Sequence, residues 1–505
     1  MYESNHLVAR LRFASLGREN DVFVQGQGGR TFGAFFANAE KYAAVLSAQG
    51  VQTGDRVAVQ VNKSLEALEL YVGTVMAGAV FLPLNPDYTA AEIAYFLQDA
   101  TPRMFIVDPA RKPEMEAAVK AANVAHVMTL DASGGGTLVT AAASRSGGFT
   151  PVARRADDLA AILYTSGTTG RSKGAMLTHR ALASNAGTLV EYWRFTPNDV
   201  LIHALPIFHT HGLFVATNVA LMAGAAMVFL PKFNLDSIFA AMPNATTLMG
   251  VPTFYTRMLD DPRLNRDCTQ NMRLFVSGSA PLLAETHARW TARTGHKILE
   301  RYGMTETNMN TSNPYEGARK PGTVGLPLPG VEVKIVDASG AKLGADQIGS
   351  IEVRGDNVFA GYWQMPEKTA AELRADGWFI TGDLGVRDCD GYITIVGRSK
   401  DLIISGGLNV YPKEVEAIID ALPDVLESAV IGLPHPDFGE AVVAVVVGRS
   451  ADLSVSAVED ATAKMLAKFK CPKAVLIVDS LPRNTMGKVQ KKALREEYAS
   501  LFAGS

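Results

Sequence analysis

The apolar run at residues 159–164 passes without a break into Thr165-Ser166-Gly167-Thr168-Thr169-Gly170-Arg171-Ser172-Lys173-Gly174. No other junction limits the chain as much: a buried strand must empty into a loop built to approach an anion. Glycines let the backbone come close, and successive N–H groups form a nest for negative charge. The hydroxyls of Thr165, Ser166, Thr168, Thr169 and Ser172 add donors, and Arg171 and Lys173 add positive charge. That chemistry suits a polyphosphate. It is not the G-x-x-x-x-G-K-[ST] loop, because Ser172 precedes the lysine and Gly174 follows it.

Around this junction the first 330 residues alternate strand-like and helix-like segments. Residues 56–61 read as a strand. Ser64 then opens a helical stretch to Val75, with Leu65, Leu68 and Val72 on one stripe. Further short apolar runs fall at 80–84, 201–205, 226–230, 247–251 and 274–277. The expected class is α/β: a large N-terminal domain of mostly parallel sheets covered by helices. Alternation at 331–336, 348–354 and 392–396 adds a small antiparallel β unit to it. The charged segment Gly397-Arg398-Ser399-Lys400-Asp401 marks a boundary, giving domains at 1–396 and 402–505 with 397–401 between them. The second is a small α+β unit, with a helix at 413–422 and strands at 428–433 and 441–447.

Composition removes several classes. Across 505 residues the net charge is 48 − 51 = −3, which argues against binding nucleic acid or an anionic membrane through bulk charge. Cys268, Cys389 and Cys471 are too widely spaced for a zinc site and odd in number for a disulfide framework. The N-terminus has no signal-peptide pattern, and no apolar run approaches a membrane span. A cytoplasmic enzyme is expected.

The loop at 164–174 resembles the phosphate-loop signature of the adenylate-forming superfamily, which includes acyl-CoA synthetases, adenylation domains and firefly-type luciferases. The other signatures of that superfamily follow in order. They are Arg301-Tyr302-Gly303-Met304-Thr305-Glu306, Thr381-Gly382-Asp383, Gly397-Arg398-Ser399-Lys400-Asp401 and Pro482-Arg483-Asn484-Thr485-Met486-Gly487-Lys488. The first 150 residues carry no such motif. The resemblance implies a C-terminal domain that rotates about Lys400 between two half-reactions. It implies ATP and coenzyme A as co-substrates, with Thr165 and Glu306 at a Mg²⁺ ion. ATP would be held by residues 165–173, Ser279, Glu300, Arg301 and Tyr302 to Thr305, with Asp383 and Arg398 at the ribose. Ser405, Gly406 and Gly407 resemble the segment that meets the pantetheine arm.

Several of these residues also have a bland interpretation. Glu306 suits Mg²⁺ completed by phosphate oxygens, but alone it would be an exposed turn glutamate. Asp383, in a turn after Phe379-Ile380, could accept two ribose hydroxyls or simply close an Asx turn. Lys488 alone would be solvated surface. By resemblance it bridges the attacking carboxylate and the α-phosphate, work suited to a compact ammonium on a flexible stem. Acylation of its amine would erase that charge, so acylating and deacylating enzymes are candidate partners. His209 and His211 could suggest a metal pair, but no third ligand is evident nearby. His209 instead resembles the gate beside the acyl pocket.

Two cations bear on which acid is used. Arg257 follows the run at 247–251, and Arg301 precedes the adenine segment. A second carboxylate on the substrate would need such partners, since an unpaired buried charge is costly. The segments at 202–212, 278–283, 300–313 and 482–488 resemble those of malonyl-CoA synthetases. In that subfamily arginines at the positions of Arg257 and Arg301 contact the distal carboxylate, with His209, Ser279 and Met304 beside the acid. The implied reaction is malonate + ATP + CoA → malonyl-CoA + AMP + pyrophosphate, with small substituted malonates such as methylmalonate accepted. The alternatives are a short-chain or aromatic acyl-CoA ligase with structural arginines, a stand-alone adenylation enzyme loading a carrier protein, and a luciferase-type monooxygenase.

Overall fold

The computed structural model describes residues 3–26, 28–165, 172–405, 408–450, 453–484 and 487–502. Among these, the strands form four sheets. One has six strands, in the order His126–Thr129, Met104–Val107, Arg56–Gln60, Val80–Pro83, Leu159–Thr165 and Lys173–Thr178. All its pairs are parallel except the last, which is antiparallel across the phosphate-type loop. The second has nine strands. Its parallel centre runs Leu299–Met304, Leu274–Ser277, Thr247–Gly250, Val200–His203, Ala226–Phe229 and Val22–Gln25. Strands covered on both faces must be apolar throughout, and Met104–Val107 and Leu274–Ser277 are buried at every position.

The two sheets share one core, which joins Val57, Phe81 and Leu163 to Leu201, Met227 and Leu248. Helix Leu65–Met76 lies inside it and is buried continuously from Ala67 to Met76. Its N-terminus falls at Ser64, whose Oγ accepts from the Ala67 N–H at 3.2 Å. The small β unit is a four-stranded antiparallel sheet of Val331–Val336, Gly349–Gly355, Phe379–Arg387 and Ile393–Arg398. A short 3₁₀ turn, Ser399–Asp401, leads into the C-terminal sheet, whose first strand is Ile403–Ser405. Asp401 Oδ1 is held by Arg495 Nη2 at 2.9 Å, tying the turn to the last helix, Lys491–Glu497. No helix among the described residues is long and apolar enough to cross a membrane.

One local expectation is corrected. Asp383 does not sit in a turn: it lies inside the strand Phe379–Arg387, opposite Arg398. Gly382 takes φ +72° within that strand, which bends it without ending it.

Candidate active site

The candidate residues lie at or after the carboxyl ends of the parallel strands, where ligands of open α/β sheets bind. At the phosphate end, Thr165 and Lys173 face each other across the antiparallel pair, with Thr165 Oγ1 3.4 Å from the Lys173 carbonyl oxygen. Lys173 Nζ lies 4.2 Å from the centre of the Tyr362 ring and 3.5 Å from Glu372 Oε2. The Tyr362 hydroxyl is 3.1 Å from Glu306 Oε1 and 2.7 Å from Glu372 Oε2. Glu306 is buried in the turn after strand Leu299–Met304, and burial raises its pKa despite Lys173 and Arg398 nearby. A buried carboxylate near Lys173 fits a hard divalent cation completed by phosphate oxygens and water. Ser166, Gly167, Thr168, Thr169, Gly170 and Arg171 lie outside the described residues, as do Gly406 and Gly407.

At the ribose end, Asp383 is buried with both oxygens occupied. Arg398 Nε is 2.7 Å from Oδ1, and the Tyr302 hydroxyl donates to Oδ2 at 2.5 Å. Burial opposes the charge on Arg398, but Asp383 overcomes it and raises the pKa. Lys488 reaches this group from the C-terminal lobe. Desolvation, then Arg398, holds its ammonium below the ordinary lysine range, with Asp383 and Asp401 opposing. Lys400 is exposed on the Ser399–Asp401 turn. Ser405 is buried at the end of its strand. Glu300 points its carboxylate to the Gly322 N–H, 3.2 Å away, and burial pushes its pKa up to about 8.

The far end of the cleft belongs to Arg301. Its side chain is buried, and neither Nε nor Nη2 has a partner among the described residues. Burial pulls its pKa down to about 9, which leaves a cation at neutral pH. Both His209 and His211 feel that charge. Burial first, then Arg301 and Lys488, hold His209 at about 4. Burial, then Arg301, holds His211 well below its ordinary value. His209 Nδ1, His211 Nε2 and Ser277 Oγ are also buried without partners, so unsatisfied polar atoms converge here with the guanidinium. Native proteins rarely leave such atoms unpaired without a ligand or a role for them. Ser279 Oγ is 3.3 Å from His211 Nδ1, and Ser279 holds φ 72°, a conformation that costs energy outside glycine. Met304 ends its strand half-buried.

Arg257 is placed differently from the buried pair the sequence suggested. Its helix, Pro252–Leu259, turns Phe254, Tyr255, Met258 and Leu259 to the core and leaves Arg257 exposed. It shares a helix face with Thr253, four residues back. That face meets the Lys488 loop, because a Cβ added at Gly487 would lie 3.5 Å from Thr253 Cγ2.

A family model described as AMP-binding enzyme matches residues 13–363, and one described as AMP-binding enzyme C-terminal domain matches 414–488. The chain belongs to the AMP-binding enzyme family. A malonate–CoA ligase of Arabidopsis thaliana is 35% identical over 480 residues, covering 88% of this chain and 78% of its own. An indoleacetate–CoA ligase of Aromatoleum aromaticum is also 35% identical, covering 91% of both chains. The crystal structure of ATP-bound MatB from Rhodopseudomonas palustris is 58% identical, covers 99% of both chains and superposes with a TM-score of 0.96. The apo form of MatB, at 57% identity and the same coverage, gives 0.85. Sequence differs little between those two comparisons, so the lower score is one of conformation. This AMP-binding enzyme is more similar in shape to the ATP-bound form than to the apo form.

Several site residues of this AMP-binding enzyme had no decisive sequence signal. Gly278 looks like any loop glycine, and its contact with Arg301 appears only in three dimensions. Tyr362 and Glu372 lie outside every motif yet border Lys173 and Glu306. His211, read in the sequence only as half of a possible metal pair, opens a π-helical turn, His211–Thr217, a feature frequent at functional sites.

Proposed function

We propose that this chain is a malonate–CoA ligase. One carboxylate oxygen of malonate attacks the α-phosphorus of ATP, forming malonyl-AMP as pyrophosphate leaves. The thiol of coenzyme A then attacks the acyl carbon, forming malonyl-CoA as AMP leaves. The observation that carries this reading is the buried, unpartnered guanidinium of Arg301 at the far end of the cleft. An unpaired buried charge is destabilising, whereas a paired and hydrogen-bonded one is tolerated, so the site asks for a second anionic group on the acid. The malonate–CoA ligase relative supports the same choice.

In this reading Arg301 binds the distal carboxylate, with His209, Ser279 and Met304 beside the acid and Arg257 entering when the acid is bound. Lys488 neutralises the attacking carboxylate and the α-phosphate together. Asp383 and Arg398 hold the ribose. Glu300 and Tyr302 to Thr305 hold the rest of the nucleotide, and residues 165–173 hold its phosphates. Glu306, with Thr165, would hold Mg²⁺, which would draw negative charge off the departing pyrophosphate. Rotation about Lys400 would then bring residues 405–407 to the pantetheine arm. Methylmalonate is accepted where the added methyl fits. The free thiols Cys268, Cys389 and Cys471 suit a reducing compartment such as the cytoplasm.

The test is pyrophosphate release across acetate, butyrate, indoleacetate, malonate, methylmalonate and succinate, with and without coenzyme A. Malonate should be the best acid and the thioester should require coenzyme A. A faster reaction with butyrate or indoleacetate would end the reading.

A further inference from the structure

Lys63, half-buried, and His203, buried, form a polar pair outside every motif of the reaction. Lys63 follows strand Arg56–Gln60 of the six-stranded sheet, and His203 ends strand Val200–His203 of the nine-stranded one. Lys63 Nζ donates to the His203 carbonyl oxygen at 2.8 Å and lies 3.0 Å from His203 Nδ1. It also stands 4.3 Å from the centre of the Phe229 ring, and Phe229 is the cross-strand neighbour of His203. An ammonium carries three hydrogens and no acceptor. The carbonyl, the ring nitrogen and the aromatic face take one each, while burial holds the Lys63 pKa well below the ordinary lysine value.

This arrangement fixes the imidazole. With Nδ1 accepting from Lys63, the ring hydrogen must sit on Nε2. Nε2 lies 2.9 Å from the Gly212 carbonyl oxygen, which also accepts from Thr217 Oγ1 at 3.0 Å. Gly212 is closely packed on one side, since a Cβ there would fall 2.0 Å from the Pro206 carbonyl oxygen. On one side of Gly212 is His211, against Ser279; two residues further is His209, whose carbonyl accepts from the Leu213 N–H at 3.0 Å.

We propose that Lys63 and His203 are positioning residues for the acid-binding end of the site: Lys63 selects the Nε2–H form of His203, and that hydrogen pins Gly212 so that His209 and His211 face Arg301. The pair touches neither ATP nor the acid. The inference rests on the acid site proposed above, and it applies to whichever acid that site prefers.

The test uses the full chain labelled with ¹⁵N-histidine, together with steady-state kinetics. Wild-type protein should show His203, assigned by its loss in His203→Gln, as a single Nε2–H tautomer. Lys63→Met should mix the tautomers and raise KM for the acid about tenfold, the worth of one lost hydrogen-bonded contact, with KM for ATP within about twofold. His203→Gln keeps a donor toward Gly212, so its acid KM should stay within about threefold of wild type, whereas His203→Met should match Lys63→Met. A single unchanged tautomer in Lys63→Met, an unchanged acid KM, or equal behaviour of the two His203 variants would overturn the proposal. If wild type preferred a monocarboxylate, the function proposed above would fall, while the tautomer and the KM of that acid would still test this pair.

Discussion

The guanidinium of Arg301 rests on the bare Cα of Gly278. A Cβ at Gly278 would lie 2.4 Å from Arg301 Cζ and 2.5 Å from Nε, closer than any real side chain approaches. The glycine that opens Gly278-Ser279-Ala280-Pro281 is therefore a shelf for a cation, not a turn requirement.

Gly278→Ala should fold normally and displace only the guanidinium. We expect the KM for malonate to rise by the roughly 2–5 kcal/mol associated with disrupting a buried charge contact. The KM for ATP should change little. Initial-rate kinetics with each substrate varied in turn will check the split; an equal rise in both would place the effect on the fold instead.

Arg301→Met separates stability from function. The free protein holds a buried cation without a partner, and an apolar side chain of similar length removes that burden. The variant should unfold at a higher temperature than wild type, by about 1–3 kcal/mol of added stability. Malonate should raise the wild-type Tm and leave that of the variant unmoved. Thermal denaturation with and without malonate will show it, and a lower Tm for the variant would contradict the unpaired charge.

Much of the fold was legible because parallel strands announce themselves as short apolar runs; residues 274–277 coincide with an observed strand. The last parallel strand of the nine-stranded sheet was not, since Val22–Gln25 pairs with Ala226–Phe229 some two hundred residues away and no local pattern encodes that partner. The same limit divides the site. Arg301 and Arg257 look alike in the sequence, but the first lies on a strand inside the nine-stranded sheet that is buried from Leu299 to Arg301, while the second sits on the exposed face of a helix. Lys63 and His203 are invisible to motif reasoning because their meeting depends on how the two sheets pack.

Glu300 should make stability fall as pH rises. Its carboxyl has an ordinary value of 4.5 and is pushed up to about 8 by burial in the folded chain. Between those values the native state keeps a proton that the unfolded chain has released, so stability declines with pH across that window. Gln keeps an acceptor for the Gly322 N–H without a charge to bury. Glu300→Gln and wild type should melt together near pH 4.5, and the variant should melt at progressively higher temperature than wild type toward pH 8. Parallel melting curves across that range would exclude a protonated Glu300.

Lys488 reaches the cleft from the C-terminal lobe, where Asp383 and Asp401 counter the desolvation that lowers its pKa. The whole chain superposes on the ATP-bound relative with a TM-score of 0.96, against 0.85 for the apo form. If the lobe turns between half-reactions, the lysine serves only the first. Lys488→Ala should then slow pyrophosphate release about 10²–10³-fold, the usual loss when one charge-stabilising donor is removed. Thioester formation from supplied malonyl-AMP should remain near the wild-type rate, because the thiol attacks after Lys488 has left. Single-turnover assays of each half-reaction will measure both rates. An equal loss in the two would mean that the ammonium stays at the reacting centre throughout, and the rotation would have to be abandoned.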